Sequence, residues 1–369
     1  MQKTQKFCIY AKKVVYLHTF MDKRITYWDV ARGLAVLLVI FYHVPLYIRI
    51  CHPDAGDLLL SHIHAGTYIL PFFMPVFFII SGYFTKTSMD YWQFLWGDVK
   101  HLLLVGLLLT FINVLIQSIG LWNSGAVGWF LHSLLSIHFL DIIFSNWFVA
   151  AIFFARQIYY GIDRLSQYLS RERNGLYWCV ELIMLTFIAI AGILIEPHAP
   201  HNSQWFYCQG FVFALFIAFG KLLRSYPVSK WWMLGGGGIY ILSMVVARLA
   251  GWSTLEYGMV NTSFTVGHWP FYMLLALSGS ALLIGIAQAI HHLAPLEFVG
   301  RHSLIFYIPQ GGILYVTGTL LGKLFLPDSS IHVWLYILIM WGVTLLGLSA
   351  ISWIQEGWQH AHSNFWSHK

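Results

Sequence analysis

The chain has 369 residues, 58% of them hydrophobic and only 10% charged, and its mean hydropathy is +0.67. That composition excludes a soluble globular domain and predicts an all-α, polytopic protein embedded in a lipid bilayer. The net charge of +6 and pI near 9.0 do not read as a nucleic-acid footprint, because the cations alternate between loops instead of gathering into one patch.

Residues 1–27 form a basic tail containing Lys3, Lys6, Lys12, Lys13, Lys23 and Arg24. The tail lacks an apolar core of about 7–15 residues and a small-residue cleavage site, so it is not read as a signal peptide. The first span, predicted over 28–50, therefore directs the chain to the membrane. It carries Asp29, Arg32 and His43, and ionisable groups inside a membrane are costly enough to be read as functional. At about 100° per residue, Arg32 and His43 fall within roughly 20° of one helical face, about 16 Å apart along the axis. Asp29 lies one turn from Arg32 and about 21 Å from His43 by rise per residue, so it is placed to orient the arginine. The plain alternatives are an ion pair fixing the start of the helix and a packing histidine.

The second span, over 63–84, has Pro71 and Pro75 four residues apart. Two prolines at that spacing must bend or break a membrane helix. Ser81 and Gly82 then permit close packing near its end, beside Tyr83. The third span, 101–120, follows Lys100 and carries Asn113 and Gln117, read as interhelical hydrogen-bond groups. Residues 121–145 hold no Lys or Arg and are expected to lie in the outer interface. Further spans are predicted over 146–163, 176–195, 205–223, 231–250, 267–290, 304–325 and 332–354, making about ten of a length that crosses the hydrocarbon layer. Their polar residues include Trp147, Arg156, Glu181, Arg248, Gln288, Tyr307, Gln310 and Lys323. Arg156, Arg248 and Lys323 lie close enough to span ends for their side chains to reach an interface.

With the N-terminus inside, the loops and tails on that side hold nearly all the non-span Lys and Arg, and the outer segments hold only Arg49. Both termini are therefore predicted to be cytoplasmic. No linker or repeat divides the chain, which reads as a tail (1–27), one integral domain (28–354) and a second tail (355–369). Cys8, Cys51, Cys179 and Cys208 show no paired spacing. Among the histidines at or near the predicted outer face, His62 and His64 are the only close pair and have no carboxylate cluster beside them, so no metal is expected.

At its first two spans the chain resembles the acyltransferase-3 family of integral membrane O-acyltransferases, which move acyl groups, usually acetyl, onto cell-envelope carbohydrates. The residues that carry the resemblance are Arg24 with YWDVARG at 27–33, the spacing from Arg32 to His43, and FFMPVFFIISGYF at 72–84. Weaker similarities follow at NWFVAAIFF (146–154), FGKLLR (219–224) and FVGRHSLIFY (298–307). The resemblance implies that His43 is the catalytic histidine, with Arg32 as its basic partner. It also implies a bacterial inner-membrane location, acetyl-CoA as a cytosolic donor, and a carbohydrate or glycan-precursor acceptor. Arg24, Arg32 and Lys100 would then meet the donor's phosphates, and Ser81, Tyr83, Trp147, Tyr307 and Gln310 the substrate. Two departures stand out. Where the family clusters arginines after its second helix this chain has WGDVKH (96–101), and where many members carry a histidine in the ninth helix it has Pro309-Gln310. The main rival is a transporter or flippase, which usually needs carboxylates near midplane. The oligomeric state is not legible.

Overall fold

The structure, a computed structural model, describes residues 25–53, 70–121, 125–135, 146–171, 174–195, 206–250, 269–324 and 329–367. Among them every regular element is helical. Helix α1 spans Thr26–Cys51, about 39 Å at 1.5 Å per residue, which suffices to cross a bilayer. The double-proline segment breaks as the sequence requires: α2 covers Leu70–Phe73 and α3 Pro75–Phe84. Pro75 opens α3, where a missing N–H costs nothing. Helix α4, Tyr91–Asp98, is capped by Asp90, whose carboxylate accepts from Trp92 N–H at 2.9 Å. A π-helical turn, Val99–Leu104, leads into α5, Val105–Gly120. Helix α6, Gly125–Leu134, lies against α5, with the Phe111 and Phe130 ring centroids 5.2 Å apart.

Helices α7 (Trp147–Ser170), α8 (Asn174–Ile195), α9 (Tyr207–Ser225), α10 (Lys230–Leu249) and α11 (Trp269–Ile290) follow. A short α12 (Ala294–Arg301) precedes α13 (Ser303–Tyr307) and α14 (Gln310–Gly322), which together make one kinked span, and α15 runs from Ser330 to Ser367. Eight stretches are long and apolar enough to cross a membrane: Thr26–Cys51, Tyr91–Gly120, Gly175–Ile195, Tyr207–Ser225, Lys230–Leu249, Trp269–Ile290, Ser303–Gly322 and Ile331–Trp358. They correspond to eight of the spans read from the sequence. The other two are represented by Pro71–Phe84, which is shorter, and by α7. Helix α7 is long enough, but Arg156, Tyr160, Asp163, Arg164 and Gln167 recur along one face of it.

Small residues set the closest contacts, as expected where lipid removes the hydrophobic drive between helices. Gly82 of α3 and Gly220 of α9 are reciprocal: a Cβ on the first would lie 2.0 Å from Ile217 O, and one on the second 1.9 Å from Ile79 O. Gly33 of α1 and Gly300 of α12 form a second such crossing. These two contacts fix where α3 ends and where α1 begins, and the candidate site is built on both.

Candidate active site

The start of α1 is held from three directions. Arg32 Nη1 donates to Asp29 Oδ1 at 3.2 Å, and the guanidinium lies 5.3 Å from the centre of the Phe84 ring at the end of α3. Asp29 is buried and Arg32 half-exposed. Trp28 packs on Tyr83, with ring centroids 4.6 Å apart, and α12 presses Gly300 onto the Asp29 carbonyl. Asp29 and Arg32, one turn apart, thus form an ion pair at the start of α1. Arg24 lies outside the described residues, as do His62 and His64.

Farther along α1, His43 Nδ1 sits 2.7 Å from the carbonyl oxygen of Val39. A carbonyl only accepts, so Nδ1 carries the proton and the neutral ring keeps its lone pair on Nε2. The helix backbone thereby fixes the tautomer of a candidate base. One turn on, the Tyr47 hydroxyl reaches Gly311, where a Cβ would come within 2.4 Å of it. Gly311 lies in the first turn of α14, just after Pro309, which has no N–H to return to the preceding turn. Asn113 of α5 reaches across to the same kink, where its Oδ1 accepts the N–H of Gly312. Gln310 is buried and its Oε1 has no hydrogen-bond partner among the described residues. Tyr307, also buried, packs on Phe148 with centroids 4.9 Å apart and lies within electrostatic reach of Tyr47. Trp147 flanks Phe148 at 6.1 Å. Tyr307 and Gln310 thus flank one kink, which α1 meets through Tyr47, one turn beyond His43. Arg32 and His43 remain far apart on a single helix.

Ser81 belongs to a different centre. Arg156 of α7 does not reach out to an interface but turns inward, because Asp98 is there to receive it. Its Nε donates to Asp98 Oδ1 and Oδ2 at 2.9 and 3.0 Å, and its Nη1 to Ser81 Oγ at 2.9 Å and Thr85 Oγ1 at 2.8 Å. Gln157 Nε2 adds a bond of 2.8 Å to Asp98 Oδ2. Lys100 is exposed, 5.3 Å from the Trp96 ring centre. The available signal for this centre was the aspartate inside WGDVKH, an acid in the loop that resembled an arginine-bearing one.

A second buried polar cluster joins α7, α8 and α9. The Tyr177 hydroxyl lies between the carboxyl groups of Asp163 and Glu181. Lys221 pairs with Asp163 and donates to Tyr177 at 2.7 Å. Asp163 and Glu181 are both fully buried, so Glu181 is a core residue although the sequence puts it near a span end. Among the described residues, no group of three His, Cys, Asp or Glu side chains is arranged to hold a metal.

The sequence model of an acyltransferase domain matches residues 25–353 of this chain. No curated protein and no solved structure matches it.

Proposed function

The chain belongs to this acyltransferase family, and we propose that it moves an acetyl group from cytosolic acetyl-CoA to a hydroxyl of a cell-envelope carbohydrate or glycan precursor. The observation that carries the mechanism is His43, whose Nδ1 is committed to Val39 O and whose Nε2 is left as a base. Nε2 takes the proton of the acceptor hydroxyl as its oxygen attacks the thioester carbonyl. The C–S bond breaks, and the proton passes from the imidazolium to the leaving thiolate, so the histidine ends as it began. General-base assistance of this kind contributes about 10²–10⁴ in rate. Asp29 acts through Arg32, holding the guanidinium at the site's other end. Arg32, with Arg24 and Lys100, is assigned to the donor's phosphates, for which a planar guanidinium is well suited. Tyr307, Gln310 and Trp147 are assigned to the acceptor and Tyr83 to shaping the site from α3, while Ser81 holds Arg156 at the neighbouring centre. With both termini cytoplasmic, as the charge bias implies, Arg32 lies toward the cytoplasmic side and His43 deeper in the bilayer of a bacterial inner membrane.

One observation favours a second reading. Asp98, Asp163 and Glu181 are carboxylates buried among the helices, and ion-coupled transporters use buried carboxylates of this kind. Incubating membranes containing the protein with labelled acetyl-CoA, then identifying the labelled product, separates the two. The acyltransferase reading expects label in an O-ester of a carbohydrate. Translocation of an unmodified substrate, with no label transferred, would overturn it.

A further inference from the structure

A cavity of about 360 Å³ lies between the end of α3, the α4–π-turn segment and α7. Its walls are largely apolar, including Phe94, Leu102 and Ile152, and its rim is open at Gln93 and His101. Arg156 lines it. Two edges of that guanidinium are occupied by Asp98, Ser81 and Thr85. Nη2 makes no hydrogen bond to a described residue, so its N–H groups remain available. Arg156 is only partly buried, so these N–H groups can reach a molecule that enters the cavity and donate to it.

The acceptor's charge can be argued from Asp98. That carboxylate already neutralises Arg156, so a phosphate would meet nearly zero net charge and a like-charged neighbour. A carbonyl oxygen takes the same N–H groups without either cost. Apolar walls with a few convergent polar groups suit a flexible chain carrying amides. The volume sits at the small end of the range of about 300–1,000 Å³ typical of ligand pockets, enough for an arm but not for a nucleotide as well. The π-helical turn Val99–Leu104 forms part of the wall, and such turns recur at functional sites.

We propose that this cavity seats the pantetheine arm of the acyl donor, with Arg156 Nη2 donating to an amide carbonyl and Asp98 acting as the positioning residue. The proposal rests on the acyl-CoA reading above.

Gly97 provides the test. It lines the cavity, and a Cβ there meets nothing within 4 Å, so a side chain at 97 starts in open space and Gly97→Leu adds bulk at the cavity wall. Initial rates are measured for purified wild type, Gly97→Ala and Gly97→Leu with acetyl-CoA and with acetyl-pantetheine, alongside the thermal midpoint and 3′,5′-ADP binding. Gly97→Leu should raise KM for both donors by about tenfold or more, the loss of one good contact, with midpoint and 3′,5′-ADP affinity unchanged. Arg156→Lys, which keeps a charge for Asp98 but lacks Nη2, should shift KM in the same direction. A folded Gly97→Leu with wild-type KM would overturn the proposal, as would a loss confined to acetyl-CoA, which would place the nucleotide end here. Wild type that uses neither donor would instead remove the acyl-CoA reading, and this proposal with it.

Discussion

Gly300→Ala adds one methyl group far from any reacting atom, yet it should disable the protein. A Cβ at this position would lie 1.9 Å from Asp29 O, 2.7 Å from Asp29 C and 3.0 Å from Gly33 N. Every one of these atoms is backbone, so no rotamer change relieves the clash. Restoring ordinary contact at 3.4 Å requires α12 and α1 to part by about 1.5 Å. Overpacking of this sort costs typically about 1–3 kcal/mol. Because Asp29 holds Arg32, the separation also displaces the guanidinium, and a misplacement of about 1 Å can cost about 10²-fold in rate. Gly161→Ala is the internal control: it lies within α7 with nothing within 4 Å of its Cβ, and should stabilise by about 0.5–1 kcal/mol through helix propensity. The assay is the thermal midpoint in detergent together with the initial rate of acyl transfer. Gly300→Ala should fall on both, and Gly161→Ala on neither. Wild-type midpoint and rate in Gly300→Ala would refute the claim that this crossing positions Arg32.

Other expectations concern separate parts of the molecule. Arg32→Ala should weaken acetyl-CoA binding as well as turnover, and Arg32→Lys should rescue it only in part, since an ammonium lacks the bidentate fork; unchanged affinity with lost turnover would leave the arginine an organising role alone. Asn113→Leu strands the Gly312 N–H in the bundle interior, at a cost of about 1–3 kcal/mol. It should lower the thermal midpoint and raise KM for the acceptor more than for the donor. Equal shifts for both would detach the kink from acceptor binding. Reporter fusions after Lys100 and after Arg173 should read as cytoplasmic, and external activity at either position would reverse the topology drawn from the charge bias.

How much of this was legible in the sequence varied with the kind of signal. Covalent constraints read through directly: Pro71 and Pro75 required a break, and the chain divides into Leu70–Phe73 and Pro75–Phe84. Spacing within one helix also read through, since Asp29 and Arg32 one turn apart form the expected pair. The Arg156–Asp98 pair did not, because its partners are 58 residues apart and each taken alone has an ordinary surface reading. Cross-helix meetings depend on packing that hydropathy does not encode. The same holds for the kink at Pro309, where Tyr47 and Asn113 arrive from α1 and α5. Helix α7 shows the opposite effect: the polar stripe that lowers its hydropathy is the face that grips Ser81, Thr85, Met89 and Asp98.

His43 Nε2 is the proposed base, and it is tested most directly by the initial rate of labelled acetyl transfer for purified wild type and His43→Ala, with acetyl-CoA binding measured on the same samples. His43→Ala should lose about 10²–10⁴ in rate, with folded yield and donor affinity close to wild type. A well-folded His43→Ala that transfers acetyl at near the wild-type rate would contradict it.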